Sequence, residues 1–190
     1  LPNAPQPGPD VTEKITIKTP KADDVSLRLA FGAGDMKLSP GAKNLVDGTA
    51  IYNYDAFKPT VTVDGGDASI SMGEVNTLPT FNDLKNEWDL KLGDTPMDLT
   101  IESGAYNGTF ELGGLSLTNL TVQDGAANVE LSFSELNQVK MSTLRYETGA
   151  SDVQLSGLAN ANFSILDFSS GAGDYKLDFS GELQRDASIK

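Results

Sequence analysis

Three pairs of neighbouring carboxylates, Asp23 with Asp24, Asp64 with Asp67 and Asp174 with Asp178, have the residue types that general acid–base chemistry uses. That chemistry needs two carboxyls facing each other across a cleft, in environments that pull their pKa values apart. In a chain with 27 acidic and 14 basic residues and a formal charge of −13, each pair reads first as a turn or a solvated face. Gly34-Asp35, Gly66-Asp67 and Gly173-Asp174 raise a second possibility, calcium held between successive β-coils by carboxylate and carbonyl oxygens. In calcium-binding nonapeptide repeats, however, one residue separates the second Gly from the Asp. Here the two are adjacent, so the carboxylates read as turn caps, and neither a metal nor any other cofactor is expected.

Histidine and cysteine are both absent. This removes His and Cys zinc sites, Ser-His-Asp and Cys-His nucleophiles, and disulfide staples. The basic residues are scattered singly, which argues against a surface that tracks nucleic-acid phosphates. Tyr52, Tyr54 and Phe57, followed by Lys58-Pro59, form an aromatic group that fits either of two roles. It is a contact surface for a partner, with Tyr52, Tyr54, Phe57 and Lys58 as its residues, or it plugs an open end of the fold. Trp88 alternates with Leu90 and Leu92 and reads as core.

The elements that must position these residues come from a repeat. Phe31-Gly32-Ala33-Gly34-Asp35-Met36-Lys37-Leu38 recurs as Asp124-Gly125-Ala126-Ala127-Asn128-Val129-Glu130-Leu131, as Thr148-Gly149-Ala150-Ser151-Asp152-Val153-Gln154-Leu155, and as Ser170-Gly171-Ala172-Gly173-Asp174-Tyr175-Lys176-Leu177. From Leu131 to Leu155 is 24 residues and from Leu155 to Leu177 is 22, a solenoid period. A second apolar run lies between the phrases, so each coil carries two strands of roughly 4 to 6 residues. Gly turns the corners, and Asp35, Asp152, Asp174, Asn107 and Asn128 cap them. Alternation then points Met36 and Leu38, Val153 and Leu155, and Tyr175 and Leu177 inward.

The expected fold is therefore all-β: a single-stranded β-helix or β-solenoid with roughly 22-residue coils of two or more short strands and little helix. Residues 1–10, with four Pro in the first nine, read as a stem or linker. Residues 11–190 read as one solenoid domain, with insertions near 39–60 and 72–87 and a short helical turn near Phe81 to Glu87. No run of 18 apolar residues is present to span a membrane. A Pro-rich opening without Met suits a stem between an upstream anchor and a folded domain, which points outside the cytoplasm.

The strand ending in Phe31-Gly32-Ala33-Gly34-Asp35, then Gly41-Ala42, Asn44-Leu45, Gly48-Thr49-Ala50 to Tyr52, Lys58-Pro59 and Gly65-Gly66, resembles the toast-rack β-solenoid domain. That domain occurs in LiaF-like cell-wall-active antibiotic response proteins and adhesin-like bacterial proteins. The resemblance implies a non-catalytic interaction or envelope-sensing module at the bacterial cell envelope, whose partner is a protein or envelope component. It transfers no catalytic residues. The alternative is a carbohydrate-active β-helix enzyme, a lyase or hydrolase, which would need a groove where carboxylates converge with Arg or Lys.

Overall fold

Alternation sets the backbone. In β2 (Ser26–Pro40), Leu27, Leu29, Phe31, Met36 and Leu38 are buried while Arg28, Asp35 and Lys37 face solvent. The other strands are β1 (Val11–Ile17), β3 (Val46–Tyr52), β4 (Pro59–Asp64), β5 (Asp67–Met72), β6 (Asn86–Leu92), β7 (Met97–Glu111) and β8 (Leu117–Ser132). They are followed by β9 (Met141–Ala150), β10 (Asp152–Ser156), β11 (Phe163–Ala172), β12 (Tyr175–Leu177) and β13 (Ser188–Ile189); the alternation is clear in β6, β7, β8 and β10, whereas β4 is exposed from Thr60 onward and β13 throughout. The computed structural model describes residues 7–73 and 83–190, and all thirteen strands belong to one open sheet. Helix among the described residues is limited to two 3₁₀ turns, Asp55–Phe57 and Leu158–Ala161, and none is long and apolar enough to cross a membrane.

The sheet folds on itself because β2, β7 and β8 each pass through a corner and contribute to two faces. One face runs β4, β5, the first half of β2, the first half of β7, the first half of β8, β9, β11 and β13. The other runs β1, β3, β6, then the second halves of β2, β7 and β8, then β10 and β12. From β7 onward the strands are parallel, and the register advances by 21 residues from Leu99 to Leu120, 24 to Leu144 and 22 to Leu166. Leu27 pairs with Leu99, so five leucines form one rung, none more than 1% exposed. Both faces feed a single core, in which Trp88 packs edge-on against Phe31 at 4.8 Å between ring centres.

Two features depart from the expected winding. Strands of about five residues occur only where coils break; β2, β7 and β8 run unbroken for 15, 15 and 16 residues. In these three strands the Gly-Ala phrase is a bend within a strand, because neighbouring coils bend at the same register and the parallel ladder survives the turn; at Gly149 and Gly171 it still separates two strands, β9 from β10 and β11 from β12. The coils also do not stack in chain order. The half-coil spacing between them would stack β6 directly against β7, yet β2 lies between them. The chain leaves β2, builds β3 to β6 on one side of it, and returns to lay β7 on the other.

Residues 39–60 hold β3 and the first 3₁₀ turn. Of the second expected insertion, residues 74–82 lie outside the described residues, as do Phe81 and Asn82 of the expected helical turn; 83–87 are not helical. Residues 1–6 of the expected stem also lie outside. From Gly8 the chain is docked, its N–H donating to the Asn53 carbonyl at 2.8 Å.

At the opposite corner an asparagine joins successive coils. Asn137 is fully buried; its oxygen accepts from Leu117 N–H at 2.8 Å and its amide donates to the carbonyls of Leu117 and Val139 at 2.9 and 2.8 Å. Asn162, one coil on, donates to the carbonyls of Asn137 and Val139. Asn137→Ala strands these buried backbone groups and should cost about 2 to 3 kcal/mol, read from the urea midpoint at unchanged slope. A loss under about 0.5 kcal/mol would show that water replaces the amide.

Glu111 closes the same corner. Burial alone would raise its pKa, but the N–H of Gly113, the Ser132 hydroxyl and the N–H of Ser134 hold it below the ordinary value of 4.5. A depressed carboxylate contributes stability above its unfolded value that is lost as pH falls through its folded value. Glu111→Gln should therefore flatten the acid limb of stability below pH 4.5 and leave the slope above it unchanged. Parallel limbs for the two proteins would remove Glu111 from the acid response.

Candidate functional site

The paired carboxylates are not brought together in a cleft. Asp23 and Asp24 lie exposed in a bend, and Asp64 and Asp67 face each other at the end of the β4–β5 hairpin, closed by Gly65-Gly66. Asp178 binds Ser180, its neighbour two residues on, through both carboxylate oxygens. Among the described residues no group of three or more Asp or Glu converges as a metal site would require.

The Asp and Asn of the phrase act between coils. Asp35 and Asn107 are register partners, and the Asn107 amide donates to the Asp35 carboxylate at 2.8 Å. Asp152 accepts the N–H of Asp174, 22 residues along, at 3.2 Å. These two bonds tie one corner to the next across coils, where a local cap was expected.

Behind these bonds the glycines are stacked. A β-carbon on Gly149 would overlap the carbonyl oxygen of Gly125, one on Gly171 would overlap that of Gly149, and one on Gly104 would sit 2.5 Å from that of Gly32. Only glycine lets the bends nest this closely. Ser103-Gly104-Ala105-Tyr106-Asn107 is therefore a further copy of the phrase, between the copies at Gly32 and Gly125. Gly108, which stands at the first apolar position where the neighbouring copies have Met36 and Val129, obscured it in the sequence.

Inside the same bends lies Asp124, 9% exposed. Its carboxylate accepts from the hydroxyls of Tyr146 at 2.7 Å, Ser151 at 3.3 Å and Tyr106 at 3.4 Å, and from that of Thr148. Burial, then the neighbouring ionisable groups, holds both phenols well above their ordinary range, so they remain donors. Sequence reasoning missed this cluster although a signal existed. Leu120, Val122 and Asp124 fall on one alternation, which puts a carboxylate on the inward side.

The aromatic group divides. Tyr52 and Phe57 are 5% and 2% exposed, and Tyr52 donates to Glu13 on β1 at 3.1 Å. Tyr52 belongs to the closed end, where antiparallel β1 and β3 cover β6, and Phe57 is buried on the 3₁₀ turn that follows β3, so the contact-surface reading does not hold for them. Tyr54 is half-buried against Phe57, with ring centres 5.3 Å apart, and Lys58 is exposed.

The decisive observation is the match of residues 6–143 to the family model described as the N-terminal domain of toast_rack, DUF2154. The chain belongs to the toast-rack family. The toast-rack domain is similar in fold to a solved "putative cell adhesion protein" from Clostridium sporogenes, with a TM-score of 0.78, 19% identity, and 90% of this chain and 99% of that one covered. A "putative adhesin" from Parabacteroides distasonis aligns over 96% of this chain and 97% of its own at 7% identity, with a TM-score of 0.36, too low to bear on the fold. No curated protein matches.

Proposed function

We propose that this toast-rack domain is a non-catalytic interaction or envelope-sensing module of a bacterial surface protein, wound in coils of about 22 residues and held outside the cytoplasm by an anchor upstream. One observation carries the reading: among the described residues the ionisable side chains are spread along coil ladders instead of gathered in a cleft, and the buried carboxylate Asp124 is consumed by four hydroxyls. Such flat, regular faces suit contact with a protein or envelope component. The fold shared with the Clostridium sporogenes protein supports it. At the closed end Lys58 and the rim of Tyr54 remain available to a partner. The alternative, a carbohydrate-active enzyme, draws no support from a groove of converging acids and bases.

The purified domain should bind isolated bacterial envelopes or an envelope protein saturably, and leave a broad polysaccharide panel uncut. With a charge of −13, binding to a cationic component should weaken as salt rises. Release of reducing or unsaturated sugar ends would overturn the non-catalytic reading.

A further inference from the structure

Among the described residues the sheet has four margins without a partner strand, and they are not equally guarded. Open strand edges invite pairing, and proteins blunt them with charge, proline or shortness. β1 carries Glu13 and Lys14, β12 has three residues with Lys176 at its centre, and β13 has two. β4 differs. From Thr60 to Val63 it reads Thr-Val-Thr-Val, all four exposed, with Val61 and Val63 at 43% and 51%, and among the described residues it pairs only with β5.

Val61 stands opposite the buried Ile70 and Val63 opposite the buried Ala68, so both valines point to the apolar side of the sheet but extend past the core that would cover them. The hairpin fixes which backbone groups are free. Its two-residue turn makes Asp64 and Asp67 a hydrogen-bonded pair, so Thr62 and Thr60 also direct their N–H and C=O at β5. The N–H groups of Val61 and Val63 and the carbonyls of Pro59, Val61 and Val63 therefore face outward.

We propose that β4 pairs antiparallel with β4 of a second copy of this chain, centred on Val61. Charge selects both the occupant and the register. Lys58 precedes the strand and Asp64 ends it, both exposed. With Val61 opposite Val61 of the second copy, each Lys58 lies opposite an Asp64, and the two-fold axis makes this happen twice. A shift that centres Thr62 keeps the hydrogen bonds but separates the charges. In the Val61 register both outward N–H groups find acceptors: the two Val61 residues exchange bonds, and each Val63 donates to a Pro59 carbonyl. Pro59, which has no N–H, sits where its missing donor removes one bond per copy and nothing from β5. The net charge of −13 opposes a second copy as much as any acidic stranger, so the selection rests on the edge itself, where Lys58 and Asp64 make the strand neutral and self-complementary. The pairing stands independently of the proposed surface role.

The test is sedimentation of the full chain from about 1 μM to about 1 mM, the range where so small an interface associates. Wild type should dimerise. Val61→Pro removes an outward donor without touching the β5 ladder, and should weaken the dimer about tenfold or more. Lys58→Glu and Asp64→Lys should each weaken it about tenfold, because both symmetric pairs turn repulsive, and the two together should restore it to within about threefold. Thermal unfolding of every variant establishes that it is folded. A wild type that stays monomeric throughout, a dimer indifferent to Val61→Pro, or a double exchange that fails to recover would each overturn the pairing, as would a strand from another protein binding there while this chain remains monomeric.

Discussion

Gly149→Val is expected to destabilise the domain by about 3 kcal/mol or more. Its β-carbon would overlap the carbonyl oxygen of Gly125, a backbone atom of β8 fixed between the ladder residues Asp124 and Ala126, which cannot rotate away as a side chain could. The strain also travels, because Gly149 is itself the surface on which Gly171 rests. Gly41→Ala is the control: its surroundings are empty, and only its φ of +106° opposes a side chain, at a cost of about 1 kcal/mol. Urea midpoints at constant slope decide between them. Equal losses at the two positions would mean that the corner is loose and that glycine is there for turn conformation alone.

Asp124→Ala should be as damaging, about 3 to 4 kcal/mol, through the partners it abandons. The hydroxyls of Tyr146, Thr148, Ser151 and Tyr106 converge on its carboxylate; those of Tyr146, Ser151 and Tyr106 lose a buried acceptor, while Thr148, half-buried, keeps Ser151 within reach. Tyr146→Phe, which removes one donor and leaves Asp124 three others, should cost only about 1 kcal/mol. In the double variant Asp124→Ala, Tyr146→Phe the penalty should fall below the sum of the two, since one stranded hydroxyl has gone. Strict additivity would argue that the cluster is not a cooperative unit.

Most of the inward positions of the fold were legible because apolar alternation reports them directly. Met36, Leu38, Leu131, Val153 and Leu155 are buried where the pattern places them, and Trp88 lies in the core. The order of stacking was not legible. β6 and β7 have the same half-coil spacing as true neighbours, and local periodicity carries no record that β2, some fifty residues earlier, is inserted between them. Strand length failed for a related reason: glycine was read as a terminator, whereas a bend copied at the same register by the coils on either side keeps its ladder.

The candidate site was legible in part. The aromatic residues Tyr52 and Phe57 were visible, but the burial of Tyr52 depends on β1 and β3 closing over β6, a tertiary event, and that of Phe57 on how the 3₁₀ turn after β3 folds back. Lys58 gained its meaning from the hairpin that follows it, whose outer strand, uncharged from Thr60 to Val63, could be ranked as an edge only after the other described margins were known. Asp124 was open to view on its alternation and was hidden by its membership in the repeat, where the eye assigns Asp to the turn.

The uninterrupted strands have a mechanical consequence. In β2, β7 and β8 one length of extended backbone passes from one face to the other, so a force that tries to pry the faces apart pulls on covalent bonds at three successive levels. A force along the stack meets only hydrogen bonds between coils. The module is thus stiff across its width and yields lengthwise, and under tension from its far end it would peel one coil at a time, beginning at β12 and β13, where the strands are short and the ladders end.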